Sequence, residues 1–481
     1  MLVLKNVSDI KLVTFIMGAW FVLLCLVAIL TNGTGDTGDS VQHYLFSKYA
    51  FKHPELFLDH WAKPIFVLLS APFAQLGFIG MKIFNCLIAV LTGYFTYRTA
   101  KLLRIRYSLL ALVFLFFAPL YFLLIFSGLT EPLFALVLIL GIYLILLDKP
   151  MFAALVISLL PFVRSEGLII LGVVAFYFIV KHSYKYLPVL LSGHILYGIA
   201  GFIYYQDLLW TVNKIPYASM SSPYGSGDWY DFFIKMNYTV GIPLYLLLVL
   251  GIGFILITLF TGKIKNNEST YQQELILIYG SFAAVFVAHS IFWYFGIFNS
   301  MGLKRVLIAI MPLMAIIALN GYNLITHEKL TKPKMVNYAL KFILAAYVIV
   351  FPFTPNPAAV NWKKDLSLGA DQDIINKIAS LVKEDFADYK LYYSHPYISM
   401  ALDLDHFDKT LHEDLISYNK GVDIPNESLI IWDNWFSVVE NGVALENLKS
   451  NQQLKEIDRY ETKENGRLIK IVVLKSESEV D

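Results

Sequence analysis

The stretch TNGTGDTGDSVQHYLFSKYAFKHPELFLDHWAKP occupies residues 31–64, directly after the first long apolar segment of the chain. Its first part holds Asp36 and Asp39 among glycines at 33, 35 and 38, and it ends in Lys63 and Pro64. Because glycine admits conformations that other residues avoid, we expect a loose backbone around the two acids. A carboxylate just beyond a membrane span lies at the level of the lipid headgroups. There it is placed to act as a general base toward an acceptor hydroxyl.

The composition indicates an integral membrane protein. Hydrophobic residues make up 57% of the chain and charged residues only 16%, and the mean hydropathy is positive. A soluble protein needs more charge on its surface. Apolar runs long enough to cross a bilayer recur up to residue 354, which predicts an all-α, polytopic transmembrane domain over residues 1–354. We expect about eleven transmembrane helices, at residues 12–31, 81–100, 108–126, 131–147, 151–163, 167–181, 187–206, 238–261, 273–297, 306–325 and 336–354.

The last quarter of the chain, residues 355–481, is polar and charge-rich. Residues 371–386 have helical periodicity, whereas 390–393, 428–432 and 468–474 are short β-branched or aromatic runs bounded by turn residues. This pattern predicts a small α/β domain. An odd number of spans places that domain on the side of the membrane opposite the N-terminus.

The distribution of Lys and Arg predicts the orientation, because cytoplasmic loops retain the positive residues. Loop 98–106, for example, carries Arg98, Lys101, Arg104 and Arg106, whereas the acids gather in the alternate loops, 32–80 and 207–237. We therefore expect a multi-pass protein of the plasma (inner) membrane with a cytoplasmic N-terminus. The C-terminal domain is then extracytoplasmic, and membrane lipids surround the rest.

Charge and cysteine content exclude other classes of function. The formal net charge is +1 and no run of basic residues occurs, so nucleic acid is not an expected partner. The two cysteines, Cys25 and Cys86, lie in apolar segments and provide neither a disulfide framework nor a thiolate metal site.

Further ionisable residues lie near the ends of predicted spans on the side of the first loop. Each also has a simpler explanation: an interfacial anchor, a solvated acid at a helix start, a structural ion pair or a snorkelling cation. Lys63 and Arg305 are suited to a phosphate, Lys as a point charge and Arg through its fork of donors. The candidate substrate-binding residues in this group are His60, Lys63, Glu131, Arg164, Glu166, Lys304 and Arg305.

The order of these elements resembles the GT-C superfamily of membrane glycosyltransferases. GDSVQHY, with Asp39 and Tyr44, resembles the acidic motif of the family's first external loop, and WAKP resembles the Lys-Pro pair that precedes a surface helix. TEP at 130–132, RSEG at 164–167 and LKRVLIAIMP at 303–312 are similar in order and placement to family elements. In the family a second acid often follows the first acid directly, whereas in this sequence Ser40 follows Asp39. The base is therefore Asp39 or Asp36.

The resemblance implies a function. The superfamily includes protein O-mannosyltransferases, the aminoarabinose transferase of lipid A and the mannosyltransferases of glycolipid anchors. It implies transfer of a sugar from a polyprenyl-phosphate donor to a glycan, lipid or protein acceptor at the extracytoplasmic face, with inversion. Lys63 and Arg305 would hold the phosphate, and Tyr44 would join the substrate-binding residues. No cofactor is required by the residues, and use of a divalent cation, which varies in the family, is left open.

Two other functions fit part of the pattern. A transporter or flippase of lipid-linked saccharides would share the hydropathy but would place its ionisable residues near the midplane, in broken helices. A polymerase or ligase that transfers whole oligosaccharides from a lipid diphosphate would need a larger central external loop. The external position of most acids favours surface chemistry. Loop 207–237, with YASMSSPYGSGDWYDFF at 217–233, is either a lid or acceptor-binding element or an ordered structural loop.

Overall fold

The computed structural model describes residues 2–218, 221–261, 268–327, 333–419, 424–464 and 466–476. Within them a helical membrane domain is followed by a mixed α/β domain. The α-helices of the membrane domain are α1 (Leu2–Leu30), α2 (Asp39–Tyr49), α3 (Pro64–Ala74), α4 (Phe78–Leu102), α5 (Leu110–Phe116), α6 (Pro119–Leu124), α7 (Glu131–Leu146), α8 (Pro150–Ile157), α9 (Gly167–Val180), α10 (Ser192–Tyr205), α11 (Trp210–Asn213), α12 (Asp231–Val240), α13 (Ile242–Thr261), α14 (Glu268–Gln273), α15 (Ser281–Phe295), α16 (Met311–Ile325) and α17 (Lys334–Val350).

Shorter helical segments extend or connect these helices. A π-helix, Glu274–Gly280, joins α14 to α15, and a 3-10 helix, Lys304–Ile310, leads into α16. The other 3-10 segments of this domain are Pro54–Leu58, Leu160–Phe162, Tyr184–Tyr186, Pro188–Leu191 and Phe351–Phe353.

Seven helical segments of the described chain are long and apolar enough to cross a membrane. They correspond to seven of the expected spans, and their bounds are Ile10–Leu30, Phe78–Leu102, Tyr184–Tyr205, Ile242–Thr261, Ser269–Phe295, Lys304–Ile325 and Lys334–Phe353. The expectation of eleven long spans is therefore confirmed only in part. The segment at 108–126 is broken ahead of Pro119, and Pro161 interrupts the segment at 151–163. α7 and α9 have only 16 and 14 residues, and α3 has 11.

The C-terminal domain contains a five-stranded sheet of strand order β2-β1-β3-β5-β4. Strands β1 (Lys390–Tyr393), β2 (His412–Glu413) and β3 (Ser428–Asp433) are parallel, whereas β4 (Leu454–Glu464) and β5 (Arg467–Ser476) form an antiparallel hairpin beside β3. Its helices are α18 (Ala370–Asp385), α19 (Pro396–Leu402), α20 (Ile416–Asn419), α21 (Leu445–Lys449) and a π-helix at Phe436–Glu440.

Sequence patterns locate the buried strands and α18 but miss β4 and β2. Strand β3 is buried along its whole length and reads as an apolar run. In β4, at the edge of the sheet, half-buried and exposed positions alternate after the buried Leu454, and the exposed residues are largely charged. An edge strand with one solvated face lacks the apolar run used to recognise strands. Strand β2 has only two residues.

The C-terminal domain packs against the first loop of the membrane domain. Gly33 N donates to Leu366 O at 2.9 Å, and Gln372 Nε2 donates to Thr34 Oγ1 at 2.8 Å. A little further along, Gln42 Nε2 lies 3.1 Å from His406 Nε2. The domain therefore lies at the same end of the helical bundle as the acidic loop.

These contacts give the loop glycines a role different from the one expected. A Cβ at Gly33 would lie 2.7 Å from the Leu366 carbonyl carbon, and one at Gly35, where φ is +74°, would lie 2.7 Å from Ser127 Cβ. The glycines thus allow close backbone packing and a left-handed turn. The expectation of a loose backbone around the acids was wrong, because the loop packs between the C-terminal domain at Leu366 and the turn at Ser127.

Helices α13 and α16 cross through a pair of glycines. A Cβ at Gly251 would lie 2.0 Å from Ile317 O, and a Cβ at Gly321 would lie 2.0 Å from Leu247 O. Small residues at such crossings let two backbones approach closely in the absence of a hydrophobic driving force. This crossing supports α16, which follows the segment that carries Arg305.

We expect Gly251→Ala to lower the thermal stability of the detergent-solubilised protein by several degrees, because the methyl group forces α13 away from α16. Gly253→Ala is the matched control: it lies on the same helix and has no atom within 4 Å of an added Cβ. Melting followed by light scattering or dye binding measures both. Equal melting temperatures for the two variants would contradict the close crossing.

Candidate active site

A cavity of roughly 1800 Å³ lies between the helical bundle and the C-terminal domain. The first loop and α2, the start of α9, loop 207–237 and the 3-10 helix before α16 form its membrane-domain wall. The ends of β1, β2 and β3 form the opposite wall. Six of the predicted site residues line this cavity: Asp36, Asp39, Lys63, Arg164, Glu166 and Arg305.

Arg305 contacts three carboxylates from separate segments. Its guanidinium pairs with Asp39, lies 3.4 Å from Asp36 Oδ2, and approaches Glu131 Oε1 to 3.7 Å. The Arg305 side chain is only 14% exposed. A buried cation requires such partners, so the first loop, α7 and the segment before α16 are held at one point.

Arg164 forms a second, adjoining set of ion pairs. Its Nη1 lies 2.9 Å from Glu131 Oε1 and its Nη2 lies 2.9 Å from Glu166 Oε1, while Nη1 also donates to Thr130 Oγ1 at 3.0 Å. Glu131, almost fully buried, thus connects the two arginines. Burial alone would raise the pKa of Glu166, but Arg164 outweighs it and lowers that pKa to about 2.

The two acids of the first loop have different surroundings. Asp36 Oδ1 accepts the backbone N–H of Gly38 at 2.8 Å and lies 3.5 Å from that of Ser40, so it caps the start of α2. Asp39 is the first residue of α2, and its side chain is more exposed, 46% against 32% for Asp36. Burial would raise the pKa of Asp39, but the Arg305 guanidinium outweighs it and the pKa lies below its usual value.

Ser40, where the sequence departs from the family pattern, has a structural role. Its hydroxyl donates to Thr34 O at 2.6 Å and accepts the N–H of Gly128 at 2.6 Å. The side chain is fully buried. It connects the first loop to the turn before α7, and a larger acidic side chain would not fit there.

Lys63 is a buried cation whose Nζ makes no ion pair within the described residues. Nζ donates to His60 O at 3.2 Å and to Ser165 Oγ at 3.3 Å, and lies 6.0 Å from the centre of the Tyr217 ring. The backbone of Lys63 adopts φ of 69° ahead of Pro64, a conformation uncommon for a residue with a side chain. Burial lowers the pKa of Lys63 to about 8.

Four predicted residues do not line the cavity. One of them, Glu131, contacts both arginines, and the other three lie elsewhere. Tyr44 packs on Phe78 with ring centres 5.5 Å apart, on the buried face of α2. His60 lies 3.1 Å from Thr211 O through its Nε2 atom, among aromatic rings. The Nζ of Lys304 lies 5.6 Å from the centre of the Tyr238 ring. These three side chains make contacts with neighbouring residues of the fold, and they do not join the shared site that the sequence predicts.

Four histidines of the cavity, His43, His289, His395 and His406, were not among the predicted site residues, and the first two belong to the membrane domain. His43 stacks on Trp61 with ring centres 5.0 Å apart, and burial lowers its pKa to about 3, so it is neutral. His289 Nε2 lies 3.6 Å from Glu166 Oε1. The sequence contains a signal for each of these two histidines as a site residue. His43 follows Asp39 by one helical turn, and His289 is an ionisable residue inside an apolar helix.

Within the residues described above, no group of three or more His, Cys, Asp and Glu side chains is arranged to hold a metal ion. No residue is therefore assigned to a divalent cation, and a requirement for one stays open.

The wall formed by the C-terminal domain is polar and aromatic. Ser394, Asp414 and Asp433 each lie at the carboxyl end of one of three neighbouring parallel strands. Asn441 Nδ2 donates to Ser394 Oγ at 2.8 Å and to Asp414 Oδ1 at 2.6 Å. Loops at the carboxyl ends of parallel strands are the usual ligand-binding edge of such sheets.

Trp435 is held rigidly in this wall. Asp433 Oδ1 accepts the backbone N–H groups of Trp435 at 2.9 Å and Phe436 at 2.6 Å. Asn434 is fixed to β5 by a hydrogen bond from its Nδ2 to Leu468 O at 2.9 Å and one from Lys470 N to its Oδ1 at 2.8 Å. Trp435 thus lines the cavity from a fixed turn, with the guanidinium carbon of Arg467 5.5 Å from its ring centre.

Loop 207–237 also reaches the C-terminal wall. The hydroxyl of Tyr224 lies 2.8 Å from each carboxylate oxygen of Glu440, and Tyr217 faces Lys63. Ser219 and Met220 of this loop lie outside the described residues. The loop therefore contacts both walls of the cavity.

The structural comparisons agree with this architecture. Neither a protein-family model nor a curated protein sequence matches the chain. The crystal structure of ArnT from Cupriavidus metallidurans bound to undecaprenyl phosphate is similar over 97% of this chain and 98% of that chain, with a TM-score of 0.58 and 12% identity. The apo structure of the same protein gives a TM-score of 0.56, also at 12% identity, over 98% of each chain. ArnT is a GT-C aminoarabinose transferase. The resemblance predicted from sequence is thus confirmed at the level of the fold: the chain is a multi-pass helical membrane protein with an ArnT-like fold.

Proposed function

We propose that the protein is a glycosyltransferase that moves a sugar from a polyprenyl-phosphate donor to an acceptor at the extracytoplasmic membrane face, with inversion of the anomeric carbon. The ArnT-like fold is consistent with a lipid-linked donor, and undecaprenyl phosphate is the molecule bound in the similar crystal structure. The N-terminus is then cytoplasmic and the cavity faces outward. The sugar and the acceptor, whether glycan, lipid or protein, are not specified by these observations.

Lys63 is the observation that carries this proposal. Two other cations of the membrane-domain wall, Arg164 and Arg305, pair with carboxylates, whereas the hydrogen bonds of Lys63 Nζ among the described residues go to a carbonyl and a hydroxyl. Burial of an ammonium group without an anionic partner costs free energy, and a bound anion would offset that cost. A donor phosphate would supply that anion, and Arg305, beside the acids, would receive the charge that develops on the leaving phosphate.

Asp39 is the better placed of the two candidate bases. Asp36 is occupied with capping α2, whereas Asp39 makes no backbone hydrogen bond and faces the cavity. In the proposed step the acceptor oxygen forms a bond to the anomeric carbon as the bond to the phosphate oxygen breaks. The hydroxyl proton passes to Asp39, and the polyprenyl phosphate leaves with the electron pair of the broken bond.

The C-terminal wall supports binding of a sugar-bearing acceptor. Trp435 offers an aromatic face to the apolar side of a sugar ring, and Asp414 and Asn441 offer hydrogen-bonding groups beside it. Small polar groups around an aromatic surface are typical of ligand pockets. Because both walls belong to one cavity, an acceptor on this wall and a donor at Lys63 would share it.

A transporter or flippase of lipid-linked saccharides is the second candidate, and the position of the ionisable residues disfavours it. Asp36, Asp39 and Lys63 belong to the first loop and the start of α3, at the end of the bundle that contacts the C-terminal domain. A transporter places such groups in broken helices near the midplane.

Asp39→Asn should lower transfer of a radiolabelled sugar from a polyprenyl-phosphate donor by at least about 100-fold, because the amide cannot accept the proton. Asp36→Asn should retain more activity, because its amide oxygen can still accept the Gly38 N–H at the start of α2. Asp228→Asn, an exposed acid outside the cavity, is the control. Full turnover by the Asp39 variant, with normal membrane expression, would reject the general-base role.

Donor affinity should fall at alkaline pH. The pKa of Lys63, about 8, is below its usual value because of burial. The ammonium therefore loses its charge as the pH rises through 8, and the donor KM should increase by up to about tenfold between pH 7 and pH 9. Lys63→Met should show a high KM that is flat over this range, whereas Lys304→Met should keep the rise. If the donor KM of the Lys63 variant still rises between pH 7 and pH 9, the titration belongs to another group.

Trp435→Ala should raise the acceptor KM by about tenfold with little change in kcat, because stacking on the sugar is lost. Hydrolysis of the donor by water, which needs no acceptor, should be unchanged. Trp229→Ala, an exposed tryptophan outside the cavity, is the matched control. An unaltered acceptor KM would remove Trp435 from acceptor binding.

A further inference from the structure

His43 lies beside the two groups on which the proposed function depends, and that function gives it no role. It follows Asp39 by one helical turn, so both side chains lie on the same face of α2. Its ring stacks on that of Trp61, which precedes Lys63 in the first loop, with ring centres 5.0 Å apart. All four residues line the catalytic cavity. His43 therefore connects the part of the cavity that holds the proposed base with the part that holds the proposed phosphate ligand.

The imidazole ring of His43 is buried without a hydrogen-bond partner. The residue is only 6% exposed, and within the described chain its Nδ1 has no partner and no hydrogen bond reaches its Nε2. Contacts with Trp61 and with Phe66, whose ring centre lies 5.4 Å away, fix the ring without using either nitrogen. Buried polar groups are nearly always paired, so an unpaired one at a cavity indicates a partner that the chain itself does not supply.

The surroundings of the ring determine which nitrogen carries the proton. Burial lowers the pKa of His43 to about 3; the Asp39 carboxylate opposes this shift and the Lys63 ammonium adds to it. The imidazole is therefore neutral at neutral pH and has a single N–H. A proton on the buried Nδ1 would be a donor without an acceptor, which costs more free energy than an unused lone pair. We therefore assign the proton to Nε2, so that Nε2 is the hydrogen-bond donor of this side chain.

A neutral N–H donor restricts the chemistry of the ligand atom that it meets. A hydroxyl oxygen can accept its hydrogen bond, whereas an ammonium group cannot, because an ammonium has no lone pair. In the proposed function the phosphate of the donor already has two cations, Lys63 and Arg305. The group between that phosphate and the base is the transferred sugar, and the indole of Trp61 gives this part of the cavity an aromatic surface. An aromatic surface with one placed polar group is typical of ligand pockets.

We propose that His43 determines which sugar the protein accepts: its Nε2–H donates a hydrogen bond to a hydroxyl of the transferred sugar, next to the phosphate at Lys63. The donor class is then an uncharged sugar with a free hydroxyl at that position, and an amino sugar with an ammonium group there is rejected. A site built to hydrogen-bond a substrate hydroxyl discriminates strongly against analogues that lack it. The inference rests on the proposed function, because it takes Lys63 as the ligand of the donor phosphate.

Native mass spectrometry of the full-length purified protein tests this contact with decaprenyl phosphate and its glucosyl, mannosyl, galactosyl and arabinosyl derivatives as probes. The wild type should bind at least one derivative more tightly than decaprenyl phosphate. His43→Phe, which keeps the stacking on Trp61, should lose about tenfold in affinity for that derivative and keep its affinity for decaprenyl phosphate. His194→Phe is the matched control, because His194 packs on Phe162 with ring centres 5.0 Å apart and does not line the cavity.

Deoxy analogues of the preferred donor identify the hydroxyl. One analogue should bind the wild type about tenfold more weakly and bind His43→Phe no more weakly than the parent donor does, because both changes remove the same hydrogen bond. The analogue with an ammonium group at that position should bind the wild type no better than the deoxy analogue. His43→Gln, whose amide also donates, should still prefer the hydroxyl, which keeps the test valid if the phenylalanine variant is unstable.

Three results would overturn the sugar contact. They are equal binding of the hydroxyl and ammonium donors by the wild type, an equal loss of affinity for decaprenyl phosphate in His43→Phe, and no preference of the wild type for any of the four sugars. Lys63→Met separates this contact from the proposed function. Binding of decaprenyl phosphate that does not depend on Lys63 would contradict the proposed function, whereas Lys63-dependent binding with no effect of His43→Phe would overturn the sugar contact alone.

Discussion

The buried Arg305 guanidinium is the constraint on which the active-site end of the molecule depends. A cation at 14% exposure beside apolar helices is tolerated only with anionic partners, and it finds them in Asp36, Asp39 and Glu131. Loss of one partner of such a buried pair typically costs about 3–5 kcal/mol. This requirement holds a surface loop, the start of a helix and a 3-10 segment together, although they are far apart in sequence.

The ion network continues from Arg305 through Glu131 to Arg164 and Glu166. Lys63 lies beside this network and makes no ion pair with any residue that the structure describes. In the proposed function its ammonium group is therefore the cation that takes the phosphate. The structural and the functional explanation of these residues compete when each motif is considered alone, but both apply in the folded protein. The paired arginines position the acids, whereas Lys63, without an ion pair among the described residues, is available to an anionic ligand.

The C-terminal domain completes the cavity and is not a separate appendage. Phe436 lies against Gly38, where an added Cβ would be 3.2 Å from its ring, and Gln372 reaches Thr34. Both domains thus define the volume in which two substrates would meet.

The sequence by itself determined the membrane class, the acidic first loop, the order of elements that resembles the GT-C pattern and the apolar core strands, because hydropathy and local spacing are properties of neighbouring residues. It also identified the charged residues that the membrane domain contributes to the cavity lining, but none of those from the C-terminal domain. Tertiary structure alone decided which of them meet: Tyr44, His60 and Lys304 turn away, whereas His43, His289 and Trp435 enter. It also decided that four expected spans are short or broken. These outcomes depend on how helices rotate and pack over long range, and a residue's position in the chain does not fix the direction of its side chain in the folded protein.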